Sequence, residues 1–245
     1  MRARRYVDAD LPALNAALAT WIRDAGWCGY CHPGDVEHRI YREAPQQRDA
    51  YLWEDALGVA GIEITGRFGA VFDVFTRPDL RGGPELEMLR AAATRGTETD
   101  VCTCDSMRIE LLGQLGFEQY RSWDHIRTRS LDDLPDVQLP EGFSLAEAQT
   151  VARATSWFDE VNLVGLFEPV ETDEGFRRQG LARAVMTEGL HRMRAAGMRT
   201  ARVEHDITNE AAAALYESLG FTIAFETVGY RSGVEPTSPS SSVLT

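Results

Sequence analysis

The chain has 245 residues, of which 44% are hydrophobic and 26% charged, and a formal net charge of −13. That balance is the one expected of a soluble globular protein with room for one large domain or two small ones. The negative charge repels phosphate backbones and no local basic patch offsets it, so no nucleic-acid partner is expected. No apolar run is long enough to cross a bilayer, and the opening Met1–Arg5 is not followed by a signal-peptide core. A cytoplasmic location without a membrane partner is the expectation.

In chain order, a strand is expected at Arg4–Val7, then Asp8 or Asp10 as a helix cap. A helix follows over Leu11–Ala25, where Leu14, Leu18, Trp21 and Ile22 recur at helical spacing. A second helix is expected from Gly34 or Asp35 to about Arg42. Strands are expected at Ala50–Trp53, Leu57–Thr65 and Gly69–Phe75, and a helix at Glu85–Ala93. A strand at Asp100–Cys104, a helix at Met107–Leu115 and extended chain over Phe117–Arg129 complete this half.

Residues 131–141 carry an Asp pair, two prolines and little apolar content, which marks a linker. Beyond it, strands are expected at Phe143–Leu145, Val151–Phe158 and Leu163–Val170. Then come a helix from Gly180 to about Ala195, a strand at Thr200–His205, a helix at Glu210–Leu219 and a strand at Phe221–Tyr230. The Ser/Pro-rich stretch 232–245 is expected to be disordered. Two segments echo one another: Leu112–Phe117 and Tyr216–Phe221 share Leu-Gly-Phe, each at the end of a helix that leads into a strand. The order of elements before them also matches, which points to two copies of one fold. The reading is therefore a first module at 1–130, a linker at 131–141 and a second module at 142–231.

The strongest chemical signal is Arg177-Arg178-Gln179-Gly180-Leu181-Ala182, placed between a strand and a helix. A helix start offers free backbone N–H groups and the positive end of the dipole, both favourable to phosphate. Gly180 lets an anion approach the backbone closely, and the two arginines add charge-assisted hydrogen bonds. No Gly-Lys-Ser/Thr follows, so the loop is not a nucleotide P-loop. Glu168–Phe176 lead into it, and Asn209 and Tyr216–Phe221 come after its helix. In this combination the chain resembles the GNAT superfamily of acyl-CoA N-acyltransferases, which pairs an Arg/Gln-x-x-Gly-x-Gly/Ala loop with a later Asn…Tyr…Gly-Phe segment. Arg177, Gly180 and Ala182 stand at the three defining loop positions.

The resemblance implies an α/β (α+β) fold of two tandem GNAT-like modules. Each would be a mixed, mostly antiparallel twisted sheet flanked by helices, with the second module truncated. It implies acetyl-CoA as co-substrate and an N-acetyltransferase acting on a small-molecule amine or a protein amino group. The backbone of Val170, Glu171 and Thr172 would pair with the pantetheine arm. Residues Arg177, Arg178, Gln179, Gly180, Leu181 and Ala182 would hold the pyrophosphate, and Asn209 would contact the cofactor. Glu168 is the candidate base and Tyr216 the candidate acid for the departing thiolate, with a backbone N–H near Val170 facing the oxyanion. Pro169 within a strand-like run favours an edge or bulge, where the family's cofactor enters.

Two departures qualify this picture. In the first module the matching loop, Arg81–Leu86, has Pro84 in place of the glycine and Leu86 in place of a small residue. Pro84 lacks a donor and its ring obstructs a phosphate, and Asp105–Leu115 offers no tyrosine. This module is expected to act as scaffold or acceptor-site wall. The second module has no room for the helices that normally shape the acceptor site. The alternative is therefore a non-catalytic CoA-binding or interaction module.

The cysteines fall in two close pairs, Cys28/Cys31 and Cys102/Cys104, a spacing that suggests metal or redox chemistry before structural disulfides. Trp27–Cys31 resembles the thioredoxin motif, but a helix precedes it, and it is read as a loop between helices. Cys102-Thr103-Cys104 on a strand matches no common zinc spacing, and no metal is expected.

Overall fold

The computed structural model describes residues 1–41, 49–146 and 150–233. The first half contains β1 (Arg2–Arg5), α1 (Leu11–Ala25), α2 (Pro33–Tyr41), β2 (Asp49–Asp55), β3 (Gly58–Arg67) and β4 (Val71–Thr76). It continues with α3 (Gly83–Ala92), β5 (Glu98–Cys102), α4 (Ser106–Gln114) and β6 (Phe117–Ser130). The second half contains β7 (Ala152–Asp159), β8 (Val164–Thr172), α5 (Leu181–Ala195), β9 (Thr200–Asp206), α6 (Glu210–Ser218) and β10 (Thr222–Ser232). Nothing regular forms at Phe143–Leu145, where a strand was expected. Phe143 instead meets Phe176 edge to face. The disorder expected at 232–245 lies, beyond residue 233, outside the described residues, as does the Arg42 end of the second helix.

The repeat is structural. Strand, single 3-10 turn, helix, strand, helix, strand recurs as β4 to β6 and β8 to β10. Each closing helix is capped alike: the Asp105 carboxylate accepts from Arg108 N–H at 3.1 Å, and the Asn209 side chain accepts from Ala212 N–H at 3.0 Å. The fold is thus a mixed α/β arrangement of two related modules.

All ten strands form one sheet in the order β1-β2-β3-β4-β5-β10-β6-β9-β8-β7. The two closing strands have changed places. β10 lies against β5 of the first module, and β6 lies against β9 of the second. Each module therefore completes its sheet with a strand from the other, and the centre of the molecule is the antiparallel β6–β10 pair.

Three apolar clusters fill the layers. One packs α1 and α2 on β2 and β3, the second packs α3 and α4 on β4 and β5, and the third packs α5 and α6 on β8 and β9. Leu131, at the start of the expected linker, is buried in the third cluster, and its N–H bonds Arg199 O at 2.9 Å. The second module has no helices of its own before β7 among the described residues. There α2 lies over β7 and β8 instead. A Cβ on Gly34 would sit 2.3 Å from Trp157 Cβ, so only glycine permits this approach.

Candidate functional site

The site begins with a parting of strands. β8 runs parallel to β9 from Val164↔Thr200 to Phe167↔Val203, and the pairing stops there. On its other edge β8 slips register against β7 between Phe167 and Val170. Pro169 brings no backbone N–H to either ladder, which suits it to this irregular stretch. Past Phe167, the β8 edge that faces β9 is open backbone.

The loop from Asp173 closes the next side. Arg178 has φ 62° and Gly180 φ 84°, both left-handed. Gly180 is the residue before α5, and an added Cβ would be strained there by backbone angle alone. The first helical hydrogen bond back to the loop is Ala184 N–H to Gly180 O at 3.0 Å. The N–H groups of the preceding turn are those that a helix start leaves free for an anion.

A groove of about 900 Å³ runs along these elements. Val170, Glu171 and Thr172 line it from β8. Arg177, Arg178, Gly180, Leu181 and Ala182 line it from the loop and helix start, and Asn209 and Tyr216 line it from α6. Gln179 is not on the wall; its amide donates to Gly175 O at 3.4 Å. The Glu171 carboxylate pairs with Arg153. Asn209 uses its side-chain oxygen to cap α6, so its amide nitrogen remains for a ligand.

Sequence reasoning missed Arg183, which also lines the groove. It stands one turn into α5 on the face that begins at Gly180, a helical offset that would have found it. Its guanidinium donates to Ser218 O at 3.0 Å and Ser218 Oγ at 2.7 Å.

Tyr216 is buried, with its ring beside His205 and Phe221 at centroid distances of 5.6 and 6.1 Å. Burial, and secondarily the Glu168 charge, push its hydroxyl up to about 12, so at neutral pH it is a proton donor. His205 is held as a neutral ring. Arg127 Nε donates to its Nε2 at 2.9 Å, which leaves Nδ1–H to donate to Asp206 O at 2.9 Å. Burial lowers its pKa.

Glu168 is not in the groove. Its side chain lines an adjoining cavity of about 160 Å³ with Asp35, His38, Glu204 and His205. His38 Nε2 lies 3.6 Å from the Glu168 carboxylate. The first module thus reaches the far side of the strand that carries the groove. Nearby contacts fix it there: His32 Nε2–H donates to Val164 O at 3.0 Å, and Asn162 donates to Ala19 O at 3.0 Å.

The first module has the same plan but encloses a different space. β4 and β5 touch at a single register pair, Val71↔Glu98, and beside them lies a pocket of about 50 Å³ that the α1–α2 loop and residues of β9 and β10 also line. Before α3, Arg81 pairs with Asp105 at 2.6 Å and with the fully buried Glu85. Leu112 fills the place that Tyr216 takes in α6 and is fully buried.

Residues 113–221 match the model of the acetyltransferase (GNAT) family. Over that stretch the chain is similar to the GNAT acetyltransferase domain. The match starts inside α4 and takes in β6, the strand that the first module lends to the second. Solved structures resemble nearly the whole chain. A GCN5-related N-acetyltransferase from Sphaerobacter thermophilus aligns with TM-score 0.55 at 16% identity, covering 96% of this chain and 97% of that one. A GNAT-family acetyltransferase from Colwellia psychrerythraea gives 0.56 at 12%, covering 94% and 99%. A tandem GNAT protein from the clavulanic acid biosynthesis pathway gives 0.57 at 10%, covering 97% and 99%. At these identities the likeness establishes the fold. No curated protein sequence matches the chain. Among the described residues no helix is long and apolar enough to cross a membrane.

The cysteine reading needs correction. Cys28 is disulfide-bonded to Cys104 and not associated with Cys31. β5 ends at Cys102, so Cys104 lies in the following turn and not on the strand. Cys31 is buried and free, and Trp27–Cys31 lies between α1 and α2 as expected.

Proposed function

We propose that the protein transfers the acetyl group of acetyl-CoA to an amine, a small molecule or a protein amino group, in the cytoplasm. The observation that supports this most is the convergence on one groove of an open strand edge, a glycine-led helix start flanked by arginines, and a buried neutral tyrosine. In this reading the main chain of Val170–Thr172 pairs with the pantetheine arm. The N–H groups that open α5, with Arg177, Arg178 and Arg183, take the pyrophosphate. The thioester then lies where β8 and β9 part, near Tyr216.

Transfer needs a neutral amine, a polarised carbonyl and a protonated leaving thiolate. Glu168, with His38 beside it, takes the amine proton directly or through water. A backbone N–H near Val170 faces the developing oxyanion. The Tyr216 hydroxyl gives its proton to the CoA thiolate. Helix α2, which seats His38 and Asp35 at the Glu168 cavity, supplies a wall that the short second module lacks. That contribution favours transfer over silent binding.

The test is thermal and chemical. Acetyl-CoA at a hundred times its Kd should stabilise the protein by about 2.7 kcal/mol, a Tm rise of roughly 5–10 °C for a chain of this size. Gly180→Glu should abolish the rise. Thiol release over a panel of amines then reads transfer. No Tm rise at saturating acetyl-CoA overturns the binding assignment, and a rise with no thiol release reduces the protein to a CoA-binding module.

A further inference from the structure

Three sulfurs that the transferase reading does not use meet at one point. Cys28 follows α1, Cys102 ends β5 and Cys104 sits in the turn before α4, and their Sγ atoms all lie within 4.8 Å of one another. Cys28 and Cys104 are bonded, while the Cys102 thiol is free with its Sγ 3.1 Å from Cys104 Sγ. A tight turn, closed by Asp105 N–H to Cys102 O at 2.9 Å, holds those two residues together. A free thiol in contact with one sulfur of a disulfide is the arrangement from which exchange proceeds. Cys104 is exposed and Cys28 half-buried, so solvent reaches the bond.

We propose that Cys28, Cys102 and Cys104 form a thiol–disulfide exchange site open to low-molecular-weight thiols, in which Cys102 replaces Cys28 as the disulfide partner of Cys104. A small thiolate attacks Cys104 Sγ, breaks the bond to Cys28 and forms a mixed disulfide on Cys104; Cys28 leaves as thiolate. The Cys102 thiolate then attacks Cys104 Sγ and expels the small thiolate. The product is a Cys102–Cys104 disulfide, and Cys28 gains the proton that Cys102 loses. The small thiol is regenerated, and no net electrons are transferred. Burial raises the Cys102 thiol above its ordinary range while the Cys104 backbone and Arg202 act in the opposite direction; exchange is therefore slow rather than forbidden. Cys31 takes no part, being fully enclosed with its thiol pushed well up by burial.

The exchange has a structural consequence. The Cys28–Cys104 bond ties the α1–α2 loop to the β5–α4 turn. The same loop places Trp27 4.9 Å beneath the Arg202 guanidinium of β9 and stacks Trp27 on His32, which bonds β8. After exchange this loop keeps its noncovalent contacts, Tyr30 Oη to Thr76 O at 2.7 Å among them, but loses its covalent tie to the β5–α4 turn.

Peptide mapping of the full chain tests the site. Protein isolated without reductant is acid-quenched and alkylated with N-ethylmaleimide, before and after exposure to substoichiometric 2-mercaptoethanol. Before exposure, the peptide with Cys28 should be cross-linked to the one with Cys102 and Cys104, with Cys102 alkylated. Afterwards the cross-link should be lost, Cys28 alkylated, and Cys102 and Cys104 joined within one peptide. Cys31→Ser should behave identically. Cys102→Ser should stop at a mixed disulfide on Cys104. Four free thiols at the outset, a cross-link that survives the thiol, or reduction without the Cys102–Cys104 form would each overturn the proposal. The wild-type map decides alone should a variant fail to fold.

Discussion

Before α3, Arg81 turns inward to Asp105 and Glu85, and Glu85 also receives Arg108 at 2.7 Å. Before α5, Arg177 and Arg178 stand exposed, with Arg177 leaning on Thr172 O at 3.2 Å. The backbone plan is shared: a strand, a single 3-10 turn, a left-handed residue and a helix start. What differs is where the charge is satisfied. One copy uses its guanidinium to close an internal network, and the other leaves it to solvent beside free N–H groups. Capacity for an anion is therefore a property of what the loop leaves unsatisfied, and the fold alone does not confer it.

The largest effect expected from this contrast is on stability. Glu85→Ala strips Arg108 and Arg81 of a fully buried partner, and removing one side of such a pair costs about 3–5 kcal/mol. Tm should fall by roughly 6–20 °C while acetyl-CoA affinity stays unchanged in isothermal titration. A parallel loss of affinity would show that the two loops are not independent.

A slightly smaller effect concerns the seam between modules. Burial lowers His32 to about 4 from an ordinary value of 6.5, so it stays neutral in the fold while the unfolded chain protonates first. Its contribution is full above 6.5 and is lost as pH falls toward 4, up to about 3 kcal/mol in all. His32→Gln should flatten the fall of Tm between pH 6.5 and 4, and an unchanged slope would assign the acid sensitivity elsewhere. Third comes Tyr216→Phe. It should lower kcat by about a hundredfold, the low end for loss of a positioned acid, with acetyl-CoA affinity preserved. A rise in KM alone would make Tyr216 a wall and not a donor.

Much of this was readable from the chain. α1 was bounded to the residue because its apolar stripe runs through Leu14, Leu18, Trp21 and Ile22 at helical spacing. The loop residues Arg177–Ala182 stood out because a phosphate-binding helix start calls for a glycine and basic neighbours, whereas Val170–Thr172, Asn209 and Tyr216 came from the family resemblance. The exchange of β6 and β10 was not readable, since both are strands of similar pattern and pairing partners are set by the whole sheet. Glu168 was identified by its distance along the strand. Which side of β8 it faces depends on the register slip beside Pro169, and no periodicity reports that. The cysteines misled for a related reason: sequence proximity paired Cys28 with Cys31, whereas the packing of the α1–α2 loop on the β5–α4 turn brings it to Cys104.

The smallest expected effect is the one that tests the comparison most sharply. Pro84→Gly restores the residue type that the second loop has, at a stability cost of under about 1 kcal/mol for glycine in a helix's first turn. If backbone shape decided binding, a second cofactor site should open. The structure argues otherwise, because Arg81 remains locked to Asp105 and Glu85, Leu112 still stands where Tyr216 would be, and the pocket beside β4 and β5 keeps its volume of about 50 Å³. Titration of the Pro84→Gly protein with acetyl-CoA should therefore saturate at one molecule per chain, the stoichiometry that the proposed site of the second module gives. Saturation at two would mean that the proline alone silences the first module and that its ion-pair network yields to a diphosphate.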